Sequence, residues 1–311
     1  MQVEGRVIVC DAIDDVGITI LKKAGLVVDY KPEIDPDGLL GAVREFDVII
    51  VRSRTKITKQ VIDAAPNVKI IARVGVGLDN IDTEYAESKE IKVLNAAEAA
   101  MNAVSELVVG HMIALSRGIP KANDGMKNGK WLKKELVGSE LRGKYLGIIG
   151  VGNIGRNLGR IAKCLRMNLI GYDIFPINQD YVREVNMIKT DLKTLLENSD
   201  FVSCHVPLTE KTRHLINSET LSYMKPTSFL INTSRGEIVD EESLFVALSE
   251  NKIAGAALDV FETEPLPDDS PLRTMKNCVL APHNANCGRR ARKRVHESTI
   301  HNLLTGLKQA N

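Results

Sequence analysis

The sequence predicts an α/β protein built on two doubly wound parallel sheets, with a Rossmann domain inserted in a flavodoxin-like one. Three observations carry this expectation. Short apolar runs alternate with helical patterns along nearly the whole chain, the rhythm of βαβ units whose parallel strands are covered by helices. A glycine-rich turn, Gly150-Val151-Gly152-Asn153-Ile154-Gly155, opens a second alternating set near the middle. A long helical pattern follows the last predicted strand and is expected to return to the first sheet. The 311 residues, 44% of them hydrophobic, suffice for two cores, at about 100–200 residues per domain.

In the first set, residues 6–10, 27–30, 47–51 and 68–73 read as strands. Residues 14–24, 36–43 and 59–64 read as the intervening helices, and Gly25 closes the first. Right-handed crossovers are the expected connections. Residues 102–115 form one long helical pattern, with Val104, Leu107, Val108, His111, Met112 and Leu115 near helical spacing. A polar, irregular arm over 121–142 holds the single tryptophan, Trp131. Six further strands are expected at 145–149, 168–172, 201–205, 228–232, 255–258 and 278–281, enough for a complete dinucleotide domain. The closing helix covers roughly 290–308. The predicted domains are therefore 1–97 with 287–311, and 98–286. The crossings near Ala97 and Asn286 suit a hinge over a cleft.

Composition narrows the function. Lysine and arginine number 41 against 40 acids, a net charge of +1, and aromatics are 4%. Neither a global field nor a base-stacking surface favours nucleic acid. No run approaches the ~18 apolar residues of a membrane span. The N-terminus opens on a strand-like run rather than a secretory leader, so a cytoplasmic protein is expected. Five scattered cysteines without a CxxC pair argue against a disulfide framework or a metal site. The basic run from Arg289 to Arg294 reads as a solvated helical turn.

The glycine turn carries the first chemistry. It follows a predicted strand and opens a predicted helix. Gly150 permits the tight turn, Gly152 lets a pyrophosphate approach the backbone, and Gly155 lets helix and strand pack closely. The helix amides then face the phosphate charge. Asp173 ends the next strand, about 20 residues on, where it would accept ribose hydroxyls and repel a 2′-phosphate. NAD is the expected cofactor. Arg235, in Asn232-Thr233-Ser234-Arg235-Gly236, lies just past a strand and offers a planar fork to a carboxylate or carbonyl. His283 can exchange a hydroxyl proton near neutral pH, and Glu264 can orient its ring. His205 ends a strand and is expected to line the cofactor cleft. His111 is expected to be packed or interfacial, and His214, His296 and His301 solvated.

Gly150–Gly155, His205-Val206-Pro207-Leu208-Thr209, Asn232–Gly236, Asp259–Pro265 and Pro282-His283 together resemble the D-isomer-specific 2-hydroxyacid dehydrogenase family over essentially the whole chain. The resemblance implies that Arg235 binds substrate, His283 is the acid/base and Glu264 supports it. It implies NAD contacts at Gly150, Gly152, Asn153, Ile154, Gly155, Asp173, His205, Val206, Pro207, Thr212, Thr233, Ser234, Arg235, Asp259 and His283. The first lobe most resembles the D-3-phosphoglycerate dehydrogenase branch, through residues 51–56 and 73–80. That implies a phosphorylated 2-hydroxy acid held by Arg52, Ser53, Arg54, Arg73, Val76, Gly77 and Arg235, with the Val76 and Gly77 amides as a carboxylate nest. Oxidation of D-3-phosphoglycerate, the entry to serine biosynthesis, is the implied reaction, in a homodimer formed through the long helix and the arm.

A reductase of glyoxylate, hydroxypyruvate or another keto acid would share the catalytic residues and differ in the phosphate site. An NAD-sensing corepressor-like protein is disfavoured by the intact catalytic set. One departure stands out. After His283 the family continues with an aliphatic residue and glycine, and here Asn284-Ala285-Asn286 stands instead. Ala285 is expected to crowd the nicotinamide amide. No counterpart of the C-terminal regulatory domain of longer members follows, so serine inhibition through it is not expected.

Overall fold

A computed structural model describes residues 4–310. The chain divides into two compact units, Met1–Ala100 with Cys287–Asn311, and Met101–Asn286.

The first unit holds a five-stranded sheet in the order β2-β1-β3-β4-β5. Its strands are β1 (Arg6–Val9), β2 (Val27–Tyr30), β3 (Val48–Val51), β4 (Ile70–Arg73) and β5 (Lys92–Leu94), all paired in parallel. Strands covered on both faces read as continuous apolar runs, and Val48–Val51 is fully buried. Helix α1 (Asp15–Lys23) starts where Asp14 accepts the Val16 N–H, and it stops at Gly25, whose φ of 102° suits glycine. Helix α2 (Pro36–Ala42) starts the same way, with Asp35 accepting the Gly38 N–H and proline in the first turn. Helix α3 (Lys59–Asp63) was expected from the pattern. Helix α4 (Thr83–Ser88), capped by Asp82, and β5 were not, because both are too short for a period to register.

The segment beyond residue 286 belongs to this unit, and α12 (Arg289–Ala310) lies on α1 and β4. A Cβ at Gly17 would meet Ile300 Cδ1 at 2.8 Å, so α1 accepts α12 at that glycine. Val295, Ile300, Leu303 and Leu307 are buried, each contributing about 1.5–3 kcal/mol.

The second unit carries a seven-stranded parallel sheet, β12-β11-β10-β9-β6-β7-β8. The strands are β6 (Tyr145–Ile149), β7 (Asn168–Tyr172), β8 (Met187–Lys189), β9 (Phe201–Cys204), β10 (Phe229–Asn232), β11 (Gly255–Leu258) and β12 (Cys278–Leu280). The six expected strands are present, and β8 adds a short outer one. Helices α7 (Asn153–Cys164), α8 (Gln179–Val185), α9 (Leu192–Asn198), α10 (Ser218–Ser222) and α11 (Glu241–Ser249) complete the alternation.

Helix α5 (Met101–Arg117) packs on α7, with Val104, Val108, His111 and Met112 buried. The expectation of an irregular arm from 121 is corrected in its first part. Helix α6 (Ile119–Lys127) begins after Gly118, at φ 57°, and holds Pro120 in its first turn. Its polar composition concealed it, since only Gly125 is buried. Beyond it Trp131 and Val137 are 77% and 88% exposed. Among the described residues no helix is long and apolar enough to cross a membrane. Burial pushes the thiols of Cys10, Cys204 and Cys278 up to about 12, which makes them inert packing groups at neutral pH.

Candidate active site

The second sheet fixes where ligands can sit. From β6 the chain runs outward through β7 and β8, then returns to β9 and proceeds the other way to β12. Open parallel sheets bind ligands at the carboxyl ends of their strands, at this reversal. The Gly150–Gly155 turn follows β6 and His205-Val206-Pro207 follows β9, so both flank it.

Each glycine of the turn has its own physical reason. Gly150 has φ 90°, and a Cβ there would fall 2.8 Å from the His205 carbonyl. A Cβ at Gly155 would fall 2.2 Å from Gly150 O, which forces α7 against the strand. A Cβ at Gly152 would meet nothing within 4 Å, which leaves open space before the first amides of α7. That pattern fits a pyrophosphate. Asn153 Oδ1 accepts from Arg156 at 3.1 Å, and Ile154 O accepts from Ser105 at 3.4 Å. Asp173, just past β7, takes the Val151 N–H at 2.7 Å and the Phe175 N–H at 2.9 Å. Ile174-Phe175-Pro176 after it bring no charge for a 2′-phosphate. Thr233 is 8% exposed, and its Oγ1 is buried with no hydrogen-bond partner. A buried hydroxyl left unpaired marks a place for a polar ligand group.

His205 Nε2 lies 2.8 Å from Ser203 Oγ, and burial pushes the imidazole down to about 4. His111 is buried, and desolvation lowers it despite the opposing charge of Asp259. Thr212 is bonded within its own loop. Its hydroxyl donates to Pro207 O at 2.6 Å and accepts from the Thr209 N–H at 2.8 Å, so it pins the 207–212 loop.

Arg235, Glu264 and His283 follow β10, β11 and β12, three adjacent strands. Asn232, fully buried, shapes the first turn: its amide donates to Arg235 O at 2.7 Å and its oxygen accepts from Ser234 Oγ at 2.9 Å. Arg235 Nη1 donates to Ser234 O at 2.6 Å. His283 Nδ1 is 2.7 Å from Glu264 Oε2, and Glu264 Oε1 accepts from the Phe261 N–H at 3.1 Å. An ionised carboxylate only accepts, so Nδ1 carries the hydrogen of this contact. A cavity of about 560 Å³ lies against this pair, lined by Phe261, Pro265, Leu266, Leu280, Pro282 and others.

His283 itself has φ 49°, the left-handed region, which costs a non-glycine residue about 1–3 kcal/mol unless its surroundings hold it. Asp259 supplies the hold. It is fully buried, and its two oxygens accept the Asn284 and Ala285 N–H groups at 2.8 and 2.9 Å. Ala285 is buried in that turn.

In the first unit, Asp11 is the organiser that the sequence reading missed. It is 3% exposed and accepts from the Arg52 N–H at 2.5 Å and from Thr55 Oγ1 at 2.7 Å. Asn80 ties the same turn by donating to Arg52 O at 2.9 Å and Thr55 O at 2.6 Å. Arg54 is tied to its own unit by several bonds. Its Nε pairs with Asp11 at 3.1 Å, and its two amino groups donate to Ile34 O, Pro32 O and Cys10 O. Arg73 Nη2 bonds Ser53 Oγ at 3.2 Å, and a Cβ on Gly75 would fall 1.8 Å from Arg73 Nη1. Arg73 thus covers the start of the Gly75-Val76-Gly77 turn, whose Val76 O accepts from Asn95 at 2.6 Å. Arg52 Nη1 donates to Ala12 O at 3.1 Å.

Comparison with known proteins agrees with this geometry. Residues 109–285 match the D-isomer specific 2-hydroxyacid dehydrogenase, NAD binding domain. The chain belongs to that family. It is 42% identical over 289 residues to the D-3-phosphoglycerate dehydrogenase of Methanocaldococcus jannaschii, covering 93% of this chain and 55% of that one. The chain thus spans about half the length of that relative. It is also 42% identical to the hydroxypyruvate reductase of Thermotoga maritima over 304 residues, 97% of this chain and 98% of the other. The D-lactate dehydrogenase of Aquifex aeolicus, solved with NAD and lactic acid, superposes with a TM-score of 0.83 at 26% identity, covering 98% and 96% of the two chains. The dinucleotide domain of this chain is accordingly an NAD-binding domain of the family.

Proposed function

We propose that the chain is an NAD-dependent D-2-hydroxyacid dehydrogenase that oxidises D-3-phosphoglycerate at C2 to 3-phosphohydroxypyruvate, the entry step of serine biosynthesis. The observation that carries the reaction type is the Glu264–His283 contact of 2.7 Å, past the ends of strands of the same parallel sheet whose β6 leads into the glycine-rich turn. Glu264 fixes the ring so that His283 Nε2 takes the proton of the substrate hydroxyl. Arg235 holds the substrate carboxylate with its fork and favours the negative charge that develops on the C2 oxygen. Bound NAD supplies the hydride acceptor. Gly150, Gly152, Asn153, Ile154 and Gly155 would hold its pyrophosphate and Asp173 its ribose. Val206, Pro207, Thr233 and Ser234 would line the rest of its path. In the opposite direction His283 returns the proton to the carbonyl oxygen of a keto acid.

His283→Ala is expected to lower kcat by about 100-fold or more, since general acid/base catalysis contributes about 10²–10⁴, while NADH binding followed by fluorescence stays near parental. Parental turnover in that variant would remove the acid/base assignment.

A second reading, reduction of hydroxypyruvate or glyoxylate, has its own support. The hydroxypyruvate reductase relative matches over its whole length, and the inward commitment of Arg54 leaves Arg52, Ser53 and Arg73 as the phosphate candidates. A panel of phosphorylated and unphosphorylated 2-hydroxy and 2-keto acids, read by NADH absorbance, decides between the two. The proposal also takes the enzyme to be a cytoplasmic homodimer. Exposed Ile113, Ile119, Met126 and Trp131 along α5, α6 and the following segment support the dimer, and a monomer mass by light scattering would count against it.

A further inference from the structure

We infer that Glu262 is a positioning residue for the hydride-transfer site: with Glu241 and Gly236 it clamps the turn that carries Glu264 and so sets the Glu264–His283 contact. The inference rests on the acid/base reading of His283 given above.

The turn after β11 has no regular secondary structure of its own, yet it must place Glu264 to a fraction of an ångström. It is gripped from two sides. On one side lies Gly236, the residue after Arg235. A Cβ there would fall 1.9 Å from Phe261 C and 2.3 Å from Glu262 N. The Phe261–Glu262 peptide therefore rests directly on the Gly236 backbone, in a space that only glycine leaves open. That contact registers the Arg235 turn against the Glu264 turn.

On the other side Glu262 and Glu241 exchange hydrogen bonds. The Glu262 N–H donates to Glu241 Oε1 at 2.8 Å, and the Glu241 N–H donates to Glu262 Oε1 at 3.2 Å. Two carboxylates so close repel one another, so the pairing needs compensation. His214 gives part of it, with Nε2 3.0 Å from Glu262 Oε1. The first amides of α11 give the rest, because Glu241 is its first residue and the helix start favours negative charge. Glu241 still rises above the ordinary carboxylate range, chiefly through burial, with the Glu262 and Glu237 charges adding. A pairing held at that cost, whose Glu262 stands one residue from Phe261 and two from Glu264, serves placement better than stability. The Phe261 N–H that pins Glu264 Oε1 belongs to the same gripped segment.

The test uses the full chain in four variants: Glu262→Ala, Glu262→Gln, Glu241→Ala and His283→Ala. Turnover is read with D-3-phosphoglycerate and NAD, and with hydroxypyruvate and NADH. Independently, the proton of the Glu264–His283 contact is followed as a downfield resonance in the cofactor-free protein. Glu262→Ala is expected to lower kcat by about 10- to 100-fold, as small misplacements of catalytic groups do, with KM for NAD unchanged and the downfield resonance lost. Glu262→Gln, whose amide oxygen still accepts from the Glu241 N–H, is expected to restore both. Glu241→Ala is expected to behave as Glu262→Ala and carries the test if that variant does not fold. Parental kcat and an intact resonance in the alanine variants, with His283→Ala inactive, would overturn the clamp and leave the acid/base reading standing. An active His283→Ala would overturn the acid/base reading itself.

Discussion

Arg54 has the residue type of a phosphate ligand and the bonding of a strut, and Arg54→Met separates the two. Methionine keeps much of the apolar stem and removes every donor. Asp11, 3% exposed, then loses its only ion-pair partner among the described residues. Breaking one side of a buried pair costs about 3–5 kcal/mol. Two features reduce this figure. The Arg54 side chain is 47% exposed, so water screens the pair, and Asp11 keeps the Arg52 and Thr55 donors. The pair then contributes about 2 kcal/mol. The carbonyls of Pro32 and Ile34 can be rehydrated, whereas the more enclosed Cys10 carbonyl loses a bond of 2.5 Å, adding about 1 kcal/mol. The expected loss is about 3 kcal/mol, a fall in Tm on the order of 10 °C for a unit of this size. Calorimetry reads the stability. KM for D-3-phosphoglycerate, measured well below the transition, is expected to stay parental. A parental Tm with KM raised for D-3-phosphoglycerate alone would refute the strut and return Arg54 to the substrate.

Two other outcomes follow from the NAD-binding edge. Gly155→Ala places a methyl 2.2 Å from Gly150 O; backbone must move, and NADH affinity measured by fluorescence titration is expected to fall at least about tenfold, the equivalent of 1.4 kcal/mol, so parental affinity would count against the fit of the turn. His205 sets an acid limb of stability. Its folded value, about 4, lies below the ordinary 6.5, so the unfolded chain takes up the proton first. The stability due to neutral His205 is complete above pH ~6.5 and is lost as pH falls toward about 4. The full shift corresponds to about 3 kcal/mol at about 1.4 kcal/mol per unit, and because the residue keeps part of its surface in water about 2 kcal/mol is expected. Urea unfolding at pH 7 and pH 4.5 should show this limb in the parent and its loss in His205→Gln; equal limbs would refute it.

The parts of the molecule that were legible in the sequence are those whose signal is local. Val48–Val51 and Ile70–Ala72 announce themselves as strands because burial on both faces demands unbroken apolar runs. The Gly150–Gly155 turn announces its ligand because its three glycines fall together between one strand and the helix that follows it. Helix α6 escaped because so little of it is buried, and α4, β5 and β8 because three to six residues carry no period. Glu264 and His283 were legible as types, and the order of strands then brought them together.

The acids at strand ends mark where local reading stops. Asp11, Asp173 and Asp259 each stand just past a parallel strand, and composition makes them alike. Asp173 receives Val151, 22 residues away, and guards a glycine turn. Asp11 receives Arg52, 41 residues away, and builds an arginine-bearing turn. Asp259 receives Asn284, 25 residues away, and holds His283 in a left-handed conformation. The task of each carboxylate is set by which backbone amide the neighbouring strand delivers to it. In a parallel sheet that amide comes from beyond a crossover helix. A strand-end acid therefore predicts that a loop is being held, and only the strand order says which loop and which functional side chain depends on it.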